Sequence, residues 1–405
     1  MSEKTNKNVP ELRFKGFSDA WVQREFGQMY KKVNEKNDLT FSKDRIISVA
    51  NMYFKTDAAT RSDDDYMKTY NIFRLGDIAF EGNRSKYFAY GRFVENTIGD
   101  GIVSHVFDVF RPFVDYDLTY WKYAIHNERV MGRILMTATT SSTMMTNLVA
   151  TDFLKRSMLV PELAEQKKIG ELLSALDNLI AANQRKIDAL KAQKSAYLER
   201  IFNQKLRFAG FTEPWAQRKV GSLSNVLSAS RVHREDWRSE GVPFFRSSDV
   251  VSAFKGLKNE TVYIDFELFK RLSEKSGKLE KGDIMITGGG SIGIPYKVPN
   301  DEPLYSKDAD LIWVKNSSSF DSDYLFMYLQ TAIFRDYLNG ISHVGTIAHY
   351  TIEQVKNTPV SIPSLDEQKQ IGDFFQKLDN IIVANQRKID LLNQQKAAYL
   401  QKMFI

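Results

Sequence analysis

Basic, amide, hydroxyl and aromatic side chains gather in a few short stretches of this 405-residue chain. The first is EGNRSKYFAYGRF (81–93), where Asn83, Arg84, Lys86, Tyr87 and Arg92 stand among glycines. Arginine and lysine hold phosphates, arginine pairs with guanine N7 and O6, and asparagine pairs with adenine. The second, TATTSSTMMTN (137–147), offers the hydroxyls of Ser141, Ser142 and Thr143 and the amide of Asn147 to phosphate oxygens or base edges. Four stretches of the second half have the same character: SASRVHREDW (228–237) with Arg231 and His233, FFRSSDV (244–250) with Arg246, Ser247 and Ser248, TGGGSIG (287–293) with Thr287, Gly289 and Ser291, and GISHVGTIAHY (340–350) with Ser342, His343, Thr346 and His349. Each stretch alone is a weak signal, since a basic loop is usually just a solvated face. The set points to contact with DNA.

Enzyme chemistry finds little support. Gly288 to Gly293 fits G-x-G-x-x-G after a strand-like run, but a dinucleotide fingerprint needs a helix to open there, and Pro295 and Pro299 oppose one. A tight turn is the favoured reading. There is no Walker A motif, no HExxH, and no Asn/Asp-Pro-Pro-aromatic signature of amino-methyltransferases. The chain has no cysteine, which removes disulfides and thiolate zinc sites. His343 and His349 read as polar loop residues, not metal ligands. No catalytic residue, metal site or cofactor is therefore expected in this chain.

The elements that must carry these loops are set by a repeat. Glu165–Phe202 recurs as Glu367–Phe404, 202 residues later and without a gap. Both copies carry a heptad pattern: Ile169, Leu173, Leu176, Ile180, Asn183, Ile187, Leu190, Lys194, Tyr197 and Ile201 in the first. Ile371, Phe375, Leu378, Ile382, Asn385, Ile389, Leu392, Lys396, Tyr399 and Met403 follow in the second. Alternating steps of four and three argue for two coiled-coil rods, each about 55 Å long. Leu176, Leu190, Leu378 and Leu392 are register-setting apolar positions. Asn183 and Asn385, near the midpoints, are expected to fix register at some cost in stability. The rods are expected to pair antiparallel within the chain, each Asn finding a polar partner across the axis. The alternative is that each rod packs on its own domain or on another protein.

A second repeat opens each half. Arg13, Phe14, Gly16, Phe17, Trp21, Gln23, Arg24 and Gly27 match Arg207, Phe208, Gly210, Phe211, Trp215, Gln217, Arg218 and Gly221, now offset by 194. These residues read as domain anchors. The chain is thus a tandem duplication: a globular domain over 1–162, a rod over 163–205, a second domain over 206–363 and a second rod over 364–405. Strands are expected at 46–54, 76–80 and 101–113, then at 242–250, 261–264, 282–290 and 310–314. Helices are expected over Tyr116–Leu135, with Trp121, Tyr123, Ala124, Ile125 and Val130 inward, and over 323–338. Pro161 and Pro363 mark the rod starts. The fold class is α+β. The rods stay nearly constant while the domains diverge, as expected of one frame holding two different reading heads.

Hydrophobic content of 43% and aromatic content of 12% suit globular cores. The net charge of +6 is compatible with nucleic acid. No signal peptide or long apolar run is visible, so a soluble, cytoplasmic protein without membrane contact is expected.

The tandem Pro-x-Leu-x-Glu-Gln-Lys-x-Ile-Gly motif (Pro161–Gly170 and Pro363–Gly372), the long helices and the Arg-Phe-x-Gly-Phe…Trp entries resemble the specificity (S) subunit of type I restriction–modification systems. The resemblance spans essentially the whole chain. It implies two target recognition domains, each reading half of a split, asymmetric site in double-stranded DNA. It implies an antiparallel helical spacer that acts as a ruler and docks two methyltransferase (M) subunits and the restriction/translocase (R) subunits. S-adenosylmethionine, ATP and magnesium are implied to act in those partners. The second domain carries the family-like PFFRSSDV and GSIG segments; the first departs, with GDIAFEGNRSKYFAYG in place of the glycine turn. Half-sites about one duplex turn apart, roughly 34–36 Å, would put both domains on one DNA face. Competing readings are an assembly scaffold whose domains bind proteins, and a stand-alone methyltransferase.

Overall fold

The computed structural model describes residues 8–56, 63–141, 145–306, 311–341 and 349–405. The heptad segments form two long helices, Leu163–Phe202 and Leu365–Lys402. At about 1.5 Å per residue each is about 60 Å long. The chain divides into two compact units, one of residues 1–184 with 387–405 and one of 185–386. Each unit therefore contains part of both helices.

Within each unit the helices run antiparallel. In the first, Asp177 meets Lys396, while Leu12, next to the Arg13 that grips Glu165, donates its N–H to Lys402 O. Position rises along one helix as it falls along the other. In the second unit Lys194 meets Asp379 and Tyr197 packs on Phe374. All the heptad positions are buried or half-buried. Each midpoint asparagine bonds within its own helix. Asn183 donates to Leu179 O at 2.6 Å and Asn385 to Ile381 O at 2.7 Å, each one turn back in its own helix.

The helix-start motif explains itself locally. Glu165, 1% exposed, accepts from Arg13 Nε at 2.8 Å and Nη2 at 2.6 Å and from the indole N–H of Trp21 at 3.0 Å. Gln166 accepts from Asp117 N and donates to Pro161 O, both at 3.0 Å. Gly170 lies so close to Asp117 and Tyr120 that a Cβ there would meet Tyr120 N at 2.8 Å. The second unit repeats this with Arg207–Glu367, Gln368–Asp321 and Gly372. The Arg…Trp entry and the motif thus lock each globular part onto its rod, as anchors should.

Each unit holds a four-stranded antiparallel sheet of one topology. In space the order is Tyr30–Val33, Val109–Pro112, Ile78–Glu81 and Arg92–Glu95 in the first unit. The second has Val226–Ser228, Leu311–Val314, Ile284–Thr287 and Pro295–Lys297. A separate two-stranded ribbon, Val22–Glu25 on Ser157–Val160 or Ala216–Lys219 on Pro359–Ile362, brings the start of each globular part beside its exit into the rod.

Several expected elements break in two. Tyr116–Leu135 is two helices, Leu118–Ala124 and Glu128–Met136, because Asn127 caps the second by accepting from Arg129 N at 3.1 Å. The five side chains expected inward are buried. The 323–338 segment likewise splits into Ser322–Tyr328 and Ala332–Ile341. VPFFRSSDV is a strand only over Val242–Phe245; a helix, Ser247–Phe254, begins where Asp249 accepts from Arg246 N at 2.8 Å. The 46–54 run is a hairpin of two short strands, Ile47–Ser48 and Tyr53–Phe54, and 101–113 is two strands, Gly101–Val103 and Val109–Pro112.

Candidate nucleic-acid interface

In the first unit the two polar stretches singled out in sequence come together. Thr146 donates its N–H to Gly82 O at 2.8 Å and its hydroxyl to Tyr90 O at 2.9 Å. Asn83 bridges to Met145. Arg84 donates to Ser141 Oγ at 2.8 Å across 57 residues. A Cβ at Gly82 would meet Thr146 O at 2.1 Å, so the zipper requires glycine there. The result is one patch with Asn83, Arg84, Lys86, Tyr87, Ser141 and Asn147 all exposed. Ser142 and Thr143 lie outside the described residues.

Arg92 is placed otherwise. Its Nε donates to Glu81 Oε2 at 2.6 Å and its Nη2 to Ala50 O at 3.0 Å. Nη1 lies 3.4 Å from His126 Nε2. Burial, then the Arg92 charge, pushes His126 down to about 4, so that ring is neutral at physiological pH. Arg92 braces the loop from beneath.

The second unit builds the corresponding surface on its glycine turn. Tyr350 N donates to Gly288 O at 2.8 Å, which brings exposed His349 beside the 287–293 turn. Thr287 is fully buried; its hydroxyl donates to Ser291 O and accepts from Ile294 N, so it shapes the turn. The turn runs directly into the strand Pro295–Lys297, with no helix, which removes the dinucleotide reading. Arg335 donates to Ile292 O at 3.0 Å and Gly293 O at 3.3 Å, fastening the turn to its helix. Gly289 is buried and Ser291 exposed. Ser342, His343 and Thr346 lie outside the described residues.

Arg231, His233 and Ser248 are exposed, and Ser247 is half-buried. Arg246 is engaged within the fold. It donates twice to Asp249, at 2.8 and 3.0 Å, and once to Glu260 O at 2.8 Å, and it lies over the Trp237 ring. The Asp249 hydrogen bonds raise its already high pKa. Sequence reasoning missed Thr146, Met145 and Arg335, which position the loops. The match between Gly82 and Gly288 after aligned Gly-Asp-Ile runs was the available signal. Among the described residues, no cluster of metal-ligating side chains is present, and no helix is long and apolar enough to cross a membrane.

Comparison with known proteins places this architecture. The profile described as the type I restriction modification DNA specificity domain matches residues 18–192 and again 212–394. The MjaVIII specificity subunit of a type I restriction enzyme from Methanocaldococcus jannaschii is 25% identical over 255 residues, 58% of either chain. A Haemophilus influenzae relative that bears a specificity-subunit name is 27% identical over 165 residues, 40% of either chain. The chain thus spans about half the length of the curated relatives it matches. Among solved structures, the S subunit of a type I restriction–modification system from M. genitalium aligns with a TM-score of 0.60 at 15% identity, over 98% of this chain and 99% of that one. A chain from a study of type I assembly and conformational transition aligns with a TM-score of 0.54 at 15% identity, over 95% and 97%. At that identity the likeness concerns the fold. With the profile matched twice, over most of the length, the chain belongs to the type I restriction–modification DNA specificity family.

Proposed function

We propose that this chain is the non-catalytic, sequence-reading subunit of a type I restriction–modification complex, and that its two units read the unlike halves of a split DNA site. One observation carries the reading. Both units keep the same strand order and the same Arg–Glu lock onto the rod, yet they present different side chains on equivalent loops. Unlike heads on a common frame suit a target whose halves differ. Arg84, Lys86 and Arg231 are the exposed cations for phosphates. Asn83, Ser141, Asn147, Ser248, Ser291 and His349 are the exposed groups for base edges.

The long helices set the spacing between half-sites and dock partners. Leu179 and Leu391 are 47% and 64% exposed in one unit, and Ile381 and Val383 are 43% and 47% exposed in the other. Such apolar side chains on charged helices suit burial against other subunits, here two methyltransferase subunits and the restriction/translocase subunits. Methyl transfer, ATP hydrolysis and cleavage, with S-adenosylmethionine, ATP and magnesium, belong to those partners.

The test is duplex selection from a random-sequence pool, followed by titration at several salt concentrations. A bipartite consensus is expected, with affinity falling by roughly a thousand-fold or more between 50 and 200 mM salt. Binding indifferent to sequence and salt would favour a protein-binding scaffold. Four residues inserted in one rod shift its heptad and should change the tolerated spacer; an unchanged spacer removes the ruler.

A further inference from the structure

The two reading surfaces share a scaffold and differ at its tip. Gly82 and Gly91 bound the loop in one unit, and Gly288 and Gly293 hold the corresponding places in the other. Gly82 O accepts from Thr146 N at 2.8 Å as Gly288 O accepts from Tyr350 N at 2.8 Å. Gly91 has φ +79° and Gly293 φ +72°. Eight residues lie between the glycines in the first unit and four in the second. The extra length is a miniature hairpin. Ser85 N donates to Phe88 O at 3.0 Å and Phe88 N to Ser85 O at 3.3 Å, which leaves Lys86 and Tyr87 outermost.

The tip is braced on several sides. Phe88 turns inward against His126, ring centroids 4.9 Å apart, beneath the Arg92 guanidinium. Ala89 N donates to Glu128 Oε1 at 3.1 Å, and Arg84 is tied to Ser141. From this base Tyr87 projects with 67% of its surface exposed, and the Lys86 ammonium sits 4.7 Å from its ring centroid. Met145, bridged to Asn83 just before the strand Thr146–Leu148, is 47% exposed. The other unit has Gly289, Gly290 and Ser291 in this place, with no aromatic ring. A braced aromatic beside cations is the chemistry of a stacking wedge, since every base has a π-face and neighbouring phosphates hold the cations.

We propose that Tyr87 is a wedge that unstacks one base step in the half-site its unit reads and kinks the duplex there, while the glycine turn of the other unit leaves its half-site stacked. The proposal rests on the DNA reading above and adds to it a mechanical difference between the two heads.

The experiment uses the full chain and a duplex it selects from a random pool, labelled at its two ends with a donor and an acceptor dye. Wild type is expected to bring the ends together, raising energy transfer, and Tyr87→Phe to do the same. Tyr87→Ala is expected to leave the duplex straight and bind about ten-fold more weakly, with unchanged thermal unfolding. A straight duplex in the wild-type complex, or an undiminished bend with Tyr87→Ala, overturns the wedge but leaves sequence reading intact. Failure to select any duplex removes both.

Discussion

Lys396 Nζ lies 2.6 Å from Asp177 Oδ1 on the opposing long helix, and Lys194 pairs with Asp379 at 2.8 Å. The two pairs are the same pair, displaced by one repeat of 202 residues. A lysine in a mostly apolar heptad seam is thereby accounted for, since antiparallel pairing sets it opposite an aspartate. Asp177 also accepts the Tyr123 hydroxyl at 2.7 Å, and Lys396 lies over that ring. Both partners keep some solvent contact, so Lys396→Ala is expected to cost about 1 kcal/mol. Asp177→Lys alone should destabilise further by like charge, and Asp177→Lys with Lys396→Asp should recover most of the loss. Thermal unfolding of the set tests this; no recovery in the double swap would mean that the pair does not set register.

The Arg–Glu locks make a stronger case. Glu165 and Glu367 are each 1% exposed, and each accepts from the Nε and Nη2 of an arginine. Truncating the arginine leaves a buried, unpaired carboxylate. Arg13→Ala and Arg207→Ala are each expected to destabilise more than an ordinary surface substitution, because the carboxylate left behind is buried. Glu165 retains the Trp21 indole as a donor, whereas no hydrogen bond joins Trp215 to Glu367. Arg207→Ala should therefore be the worse of the two in chemical denaturation.

Glu95 predicts a pH dependence. It is 3% exposed on the edge strand of the first unit's sheet, and neither carboxyl oxygen has a hydrogen-bond partner within the protein. Burial first, with Asp117 adding to it, pushes it up to about 9 from an ordinary value near 4.5. The folded chain therefore holds a proton that the unfolded chain releases. Its contribution to stability is full below about pH 4.5 and is lost as pH rises towards 9. The slope approaches 1.4 kcal/mol per pH unit for one fully linked proton. Glu95→Gln keeps the shape without the titration, so its unfolding temperature should fall less between pH 6 and 9 than that of wild type. Parallel curves would exclude Glu95 as the linked group.

Much of this frame was legible in the sequence because it is periodic and repeated. The heptads place both rods, and Pro161 and Pro363 mark their starts to within two residues. The partner of Glu165 was not legible, since Arg13 lies 152 residues away and only folding joins them. Helix breaks were missed where a single cap decides them: Asn127 sits inside a continuous apolar pattern, and the Phe-Phe of 244–245 argues for strand until Asp249 caps a helix. The loops were the least legible, because a hydroxyl or guanidinium reads the same whether it faces solvent or closes a turn. Thr287 and Arg92 are hydrogen-bonded within the fold, while Arg84 and Asn83 stand at the surface.

That distinction separates Lys86 from Arg246 in a binding assay. Lys86 is exposed, with its ammonium beside the Tyr87 ring. Lys86→Ala should weaken binding across duplex sequences and reduce the salt slope by about 1, the signature of one lost phosphate contact, without altering stability. Arg246 is bound to Asp249, which is 8% exposed, and to Glu260 O. Arg246→Ala removes the charge partner of that carboxylate at the start of the helix Ser247–Phe254, leaving it the Arg246 N–H and the Asn259 amide, so it should lower the unfolding midpoint of its unit. A duplex-binding loss in Arg246→Ala should then track its stability and return when a stabilising low temperature refolds the unit. Arg246→Ala with full stability and a changed base preference would instead make the guanidinium a direct reader, released from Asp249 on contact with DNA.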